Sequence, residues 1–283
     1  MQNHRSLLIA SAALLALLTL SGCQSQPQTD KTSAAAKASD PGQWVGAAGH
    51  RLWTQVYPSP QLSAHPTLLL VLHGDAPFNK PDYQYTVARQ VAQANPNVVA
   101  VALLRPGYTD PAGHQSDGER GETTGDNYPP AVIDAIAAAL TTLKARYHAG
   151  RVVVAGHSGG AAITADLLGR HPGLADAALL ASCPCNVATW RAHMKRHTGG
   201  GAIWDQPVAS VSPEQVVARI PASTRVALLV GTADSIAPQA LTQEYYRRLQ
   251  QQGIPATLHE LPGLGHEIFL GKAVQQEIKG LLR

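Results

Sequence analysis

Gly156-His157-Ser158-Gly159-Gly160 places one hydroxyl among residues with almost no side chain. The spacing is G-x-S-x-G. A short apolar run, Arg151–Ala155, precedes it, and a helical pattern, Gly159–Gly169, follows it. A serine on a sharp strand-to-helix turn is held in strained backbone geometry, and small neighbours let that turn close. Its oxygen then projects near the positive end of the helix. A serine hydroxyl is a weak nucleophile at neutral pH, so it needs a base and a third group to orient that base. Both follow in the chain. Asp234 stands in Gly231-Thr232-Ala233-Asp234-Ser235-Ile236-Ala237-Pro238, just past the apolar run Arg225–Val230. His266 stands in Gly263-Leu264-Gly265-His266-Glu267. The chemistry such a set performs is attack on a carbonyl, with an acyl group passing through the serine.

Each residue also has a plainer reading. Asp234 suits a turn that caps the next helix, and Asp205 and Asp176 are alternative acids. The chain has 12 His, and His266 is set apart by its glycine-rich loop and late position. His157 is read as structural, because the turn directs it away from the nucleophile. His73 is read as a hydrogen-bonding prop for its loop. Arg105-Pro106-Gly107-Tyr108 opens a long polar loop reaching Tyr128, which is read as held by local hydrogen bonds. Asp117, Glu119, Arg120, Glu122 and Asp126 are read as its solvated charges.

The elements that must position these residues alternate. Leu52–Tyr57, Thr67–Leu72, Asn97–Leu103, Arg151–Ala155, Ala175–Ser182, Arg225–Val230 and Thr257–Leu261 read as strands. Tyr83–Ala94, Pro129–Tyr147, Gly159–Gly169, Pro238–Gln252 and Glu267–Leu282 read as helices. Short continuous apolar runs mark strands buried on both faces. Strands alternating with helices predict an α/β fold, a mostly parallel central sheet flanked by helices. An insertion at about 186–220 holds Trp190, His193, His197, Gly199–Gly201 and Trp204. It reads either as a short lid or as a surface excursion.

From about residue 50 to its end the chain resembles the α/β-hydrolases. The elbow at Ser158 and the order Ser158, Asp234, His266 carry that resemblance, and Leu72-His73-Gly74-Asp75 resembles the family's oxyanion loop. The resemblance implies a serine hydrolase of the esterase, lipase and serine peptidase type, with no cofactor and no metal. It implies a catalytic triad of Ser158, Asp234 and His266, and an oxyanion hole from the backbone N–H groups of Gly159 and Asp75. The Asp75 side chain is then expected to point away from the developing anion. The expected substrate is a small or medium carboxylic ester, with a peptide or amide as the alternative. A non-catalytic envelope lipoprotein that uses the fold for binding is the rival from another class.

The ends and composition bear on location. Arg5 and the apolar Leu7–Leu20 have the length and flanks of a secretory leader. Leu20-Ser21-Gly22-Cys23 resembles the bacterial lipobox, which implies a leader over 1–22, lipidation at Cys23 and a membrane anchor in the bacterial cell envelope. Residues 23–43 are small, polar and Pro-containing and read as a flexible tether, with the folded domain over 44–283. The net charge of +3, without a basic run, excludes nucleic acid as an implied partner. With Cys23 lipidated, Cys183 and Cys185 remain. Outside the cytoplasm a disulfide is the default for them. Two Cys with His193 and His197, four apart on one helical face, is the zinc alternative.

Overall fold

A computed structural model describes residues 42–120 and 128–283. The leader, Cys23 and most of the tether lie outside the described residues, as do Glu122 and Asp126. Eight strands form one sheet: β1 Gly42–Val45, β2 Leu52–Pro58, β3 Thr67–Leu72, β4 Val98–Leu103, β5 Arg151–His157, β6 Ala177–Ala181, β7 Arg225–Gly231 and β8 Ala256–Leu261. Their spatial order is β1-β2-β4-β3-β5-β6-β7-β8. The first two pairings, β1 with β2 and β2 with β4, are antiparallel, and all the others are parallel.

Burial follows from this topology. Every residue of β3 and β4 is buried, because helices cover both faces of a parallel sheet. Successive strand side chains face opposite ways. Leu68, Leu70 and Leu72 accordingly pack with Val152 and Val154 under α2 (Pro130–Arg146), α3 (Gly159–Arg170) and α6 (Gln239–Gln251). Leu69 and Val71 pack on the other face with α1 (Tyr83–Ala94) and α7 (Lys272–Leu281).

The sheet order reverses direction at β3. From β3 the chain moves to β4 on one side, then returns to β5 on the other. The loops leaving β3 and β5 therefore part to opposite faces, into α1 and α3, and leave a crevice at the carboxyl ends of the strands. Open α/β sheets bind ligands at such a switch point. His73-Gly74-Asp75 and Ser158 lie there.

Several boundaries differ from the sequence reading, most by one or two residues, and three of the differences have a clear physical reason. Gly42 and Gln43 belong to β1 rather than to the tether, since backbone pairing with Gln55 and Thr54 supplies what their composition does not. Strand β5 continues to His157, so it runs directly into the serine turn. The last helix starts at Lys272 rather than Glu267, because a turn in which Gly271 N–H donates to the Ile268 carbonyl tucks Ile268 and Phe269 into the core. The insertion carries α4 (Val187–His197), a short α5 (Pro213–Val216) and two 3-10 turns, Ala202–Asp205 and Val217–Arg219.

Candidate active site

Ser158 sits between β5 and α3 with φ 52° and ψ −121°, a left-handed conformation that costs a non-glycine residue strain. Its neighbours show why glycine flanks it. A Cβ on Gly156 would lie 2.2 Å from the Gly160 carbonyl oxygen, and one on Gly160 would lie 2.4 Å from that of His73. The turn thus packs backbone on backbone against β3.

The structure brings the three expected residues together. His266 Nε2 is 2.9 Å from Ser158 Oγ, and His266 Nδ1 is 2.9 Å from Asp234 Oδ2 and 3.0 Å from Oδ1. The Asp234 side chain is fully buried. Burial alone would raise its pKa, but the hydrogen bond and charge of His266, with N–H donors from Ala237 and Ile236, hold it below the usual aspartate value. Asp234 Oδ1 accepts from Ile236 N–H at 2.9 Å and Ala237 N–H at 2.8 Å. Asp234 thus closes the turn ahead of α6 and faces the imidazole, but it does not cap that helix, whose N-cap residue is Pro238 and which has no side-chain cap. A carboxylate on Nδ1 sets that nitrogen as the N–H, which leaves Nε2 as a base toward the serine.

The alternative acids are elsewhere. Asp205 is exposed and pairs with Lys195 Nζ at 2.7 Å. Asp176 Oδ2 accepts from Val152 N–H at 2.7 Å, at the opposite end of β5.

Gly159, the first residue of α3, and Asp75, just past β3, border Ser158. Among the described residues neither backbone N–H has a hydrogen-bond partner. The first N–H groups of a helix are unsatisfied by construction and favour negative charge. The Asp75 side chain, however, does not point away. Its carboxylate lies over Gly159, where a Cβ would meet Oδ2 at 2.4 Å. The reason is a cationic partner that sequence reasoning missed. Arg105, fully buried, places Nη1 3.0 Å from Asp75 Oδ1. Tyr128 Oη–H donates to Asp75 Oδ2 at 2.7 Å and Tyr108 Oη–H to Oδ1 at 3.2 Å. A buried carboxylate is tolerable only when paired and hydrogen-bonded in this way. Arg105 is thus more than a local loop anchor.

His73 acts as the expected prop. It accepts Arg105 N–H at Nε2 (3.0 Å), and its Nδ1 lies 2.7 Å from the Gly74 carbonyl. Burial first, and then the charge of Arg105, push its pKa well below the usual histidine value, so it stays neutral.

The insertion seats on the acid loop. Trp190 Nε1–H donates to the Ile236 carbonyl at 2.8 Å, and His193 Nε2 lies 2.8 Å from the Ser235 carbonyl. Cys183 and Cys185, just past β6, are joined by a disulfide. His193 and His197 stack on each other at 5.7 Å between ring centres, and His193 spends Nε2 on the acid loop. Among the described residues no group of His, Cys, Asp or Glu is arranged to hold a metal.

Known proteins share this architecture. Est1E from Butyrivibrio proteoclasticus superposes with a TM-score of 0.62 at 14% identity, covering 85% of this chain and 96% of its own. Proline iminopeptidase from Mycobacterium smegmatis gives 0.62 at 14%, covering 85% and 97%. An esterase from Pyrococcus furiosus gives 0.62 at 14%, covering 85% and 88%. At such identities the likeness is one of fold, the α/β-hydrolase fold. No curated protein matches the sequence. A sequence model described as the prolyl oligopeptidase family matches residues 119–283, which is more than half of the chain and includes Ser158, Asp234 and His266. The chain is a serine hydrolase of the α/β-hydrolase type and belongs to the prolyl oligopeptidase family.

Proposed function

We propose that the protein hydrolyses carboxylic esters of small or medium size through an acyl-enzyme on Ser158. One observation carries this reading: the unbroken chain from Asp234 through His266 to Ser158 Oγ, beside two unengaged N–H groups. As Oγ attacks the carbonyl carbon, His266 Nε2 takes its proton. The charge that develops on the carbonyl oxygen is met by the N–H groups of Gly159 and Asp75, each such donor contributing about 3 kcal/mol. Arg105 offsets the Asp75 carboxylate, so the hole is not opposed by an unpaired anion. His266 then returns the proton to the leaving oxygen, and the tetrahedral adduct collapses to the acyl-enzyme. Water, deprotonated by the same nitrogen, attacks the acyl carbon and releases the acid. Asp234, held as a carboxylate, fixes the imidazole tautomer and stabilises its charge in both halves. Helix α4, docked on the Ser235–Ile236 loop through Trp190 and His193, is the proposed lid.

A second reading is favoured by the family match, whose name is that of peptidases. The same residues cleave an amide if the leaving nitrogen reaches the proton on His266. The two are separated by kcat/KM on p-nitrophenyl esters of increasing chain length, set beside aminoacyl p-nitroanilides, with a fluorophosphonate probe to report Ser158. Labelling at Ser158 and a preference for short or medium esters are expected. A higher kcat/KM on the anilides hands the site to the peptidase reading, and failure of the folded protein to label sinks both.

The proposed location is the bacterial cell envelope, with Cys23 carrying a lipid that anchors the enzyme to a membrane. Fed with radiolabelled palmitate, cells expressing the wild type should yield a labelled, membrane-associated protein, and Cys23→Ala a soluble, unlabelled one. Label persisting in Cys23→Ala removes the anchor from the proposal.

A further inference from the structure

His157 precedes the nucleophile and points away from it, yet its ring joins both sides of the site. Nδ1 lies 2.9 Å from Tyr83 Oη, and Nε2 lies 3.0 Å from the backbone carbonyl of His266. Tyr83 Oη in turn accepts the N–H of Gly74 at 2.5 Å. The polarity of this chain is forced by its two ends. A carbonyl oxygen only accepts, so His157 Nε2 carries the proton. A backbone N–H only donates, so it uses a lone pair of the Tyr83 oxygen. The single phenolic proton then goes to Nδ1, which in the Nε2–H tautomer is the acceptor it needs. Every donor finds an acceptor in one arrangement and in no other.

We infer that His157 is a positioning residue: as the neutral Nε2–H tautomer it ties the His266 backbone to Tyr83 and the Gly74 N–H, holding base loop and oxyanion loop as one unit. The inference rests on the catalytic reading above. Its surroundings keep the ring neutral. Burial first, and then the charge of His266, lower the His157 pKa to about 4, while the hydrogen bond to the His266 carbonyl and the charges of Asp234 and Asp75 act in the opposite sense. The ring is also clamped sideways, stacked on Phe269 at 5.4 Å and edge-on to Tyr83 at 5.6 Å between centres. The His266 carbonyl has two further donors, Ser182 Oγ–H at 3.0 Å and Ile268 N–H at 2.9 Å. Ile268 belongs to the same loop and Ser182 follows β6. Of the three, only His157 reaches the oxyanion side.

The consequence is geometric. Asp234 fixes the imidazole at Nδ1, but the ring hangs from a backbone that a glycine-rich loop would leave loose. A misplacement of about 1 Å between reacting groups costs on the order of 10²-fold in rate. The test uses the full-length protein, with active sites counted by fluorophosphonate burst so that unfolded molecules do not enter kcat. His157→Leu and Tyr83→Phe should each lower kcat by roughly tenfold or more toward that limit, with KM little changed. His157→Gln, which keeps an N–H toward the His266 carbonyl, should recover most of the loss. The double variant Tyr83→Phe/His157→Leu should be no worse than the poorer single, because both act on one chain. A kcat within threefold of wild type in His157→Leu overturns the inference. So does Gln serving no better than Leu, or losses that multiply in the double variant. Failure of the wild type to label at Ser158 would remove the catalytic reading itself, and this inference with it.

Discussion

Ser158→Ala and His266→Ala are each expected to lower kcat by about 10⁴–10⁶-fold, and the double variant by no more than the poorer single. The expectation follows from the single hydrogen bond between them, His266 Nε2 to Ser158 Oγ at 2.9 Å. Without the base, the hydroxyl keeps its proton and attacks too slowly to matter. Without the hydroxyl, the base has only water to activate, at a distance set for a different oxygen. Removing one member therefore removes the function of the other, and the free-energy losses cannot add. What should survive is catalysis by the N–H groups of Gly159 and Asp75, the proposed oxyanion hole. KM should move little, since neither side chain is expected to hold the ground-state substrate. Active-site-normalised kinetics on one p-nitrophenyl ester measures all of this. Multiplying losses would show that the two residues act in separate steps, and a small effect of Ser158→Ala would move the nucleophile elsewhere.

The sequence was most legible where periodicity and spacing report backbone directly. The short buried runs Leu68–Leu72 and Val226–Val230 read as strands because they are too short for a buried helix, and a parallel sheet covered on both faces buries consecutive residues. The serine turn was legible because glycine is the only residue that fits where Gly156 and Gly160 meet carbonyl oxygens. Asp234 and His266 could be read because they follow strand β7 and strand β8 in a fixed order. What was not legible depends on contacts across the sheet. Nothing in the spacing of Asp75, Arg105, Tyr108 and Tyr128 shows that they converge on one carboxylate, which is why the side chain of Asp75 was expected to turn away. The same holds for His157, Tyr83 and Gly74, which come from β5, α1 and the β3 loop. Strand β1 was hidden for another reason: an edge strand of four residues is made by pairing, not by hydrophobic pattern. Burial of Ile268 and Phe269 likewise delayed the last helix, since a turn satisfies their backbone and a helix would lift them from the core.

Asp234→Asn is expected to lower kcat by about 10⁴-fold while leaving the folded structure close to wild type. The separation comes from the two tasks of this side chain. Its Oδ1 closes the turn before α6 by accepting from Ile236 and Ala237. An asparagine oxygen at that position accepts the same two N–H groups, so the turn survives. The amide nitrogen then replaces Oδ2, the nearer of the two carboxylate oxygens at His266 Nδ1, 2.9 Å away against 3.0 Å for Oδ1. A donor there stabilises the opposite imidazole tautomer, with the proton on Nε2. That proton points at Ser158 Oγ, and the base is lost although no distance has changed. The imidazolium formed during attack also loses its counter-charge. Asp234→Ala should lose the turn as well, and so fall further in thermal stability than Asp234→Asn at a similar kcat. Thermal melts beside kcat for the pair of variants distinguish the tasks. If Asp234→Asn retains near-normal turnover, Asp234 is only the turn residue, and neither Asp205 nor Asp176 is placed to take over. The exposed Asp205 is paired with Lys195, and Asp176 is bonded to the backbone at the far end of β5.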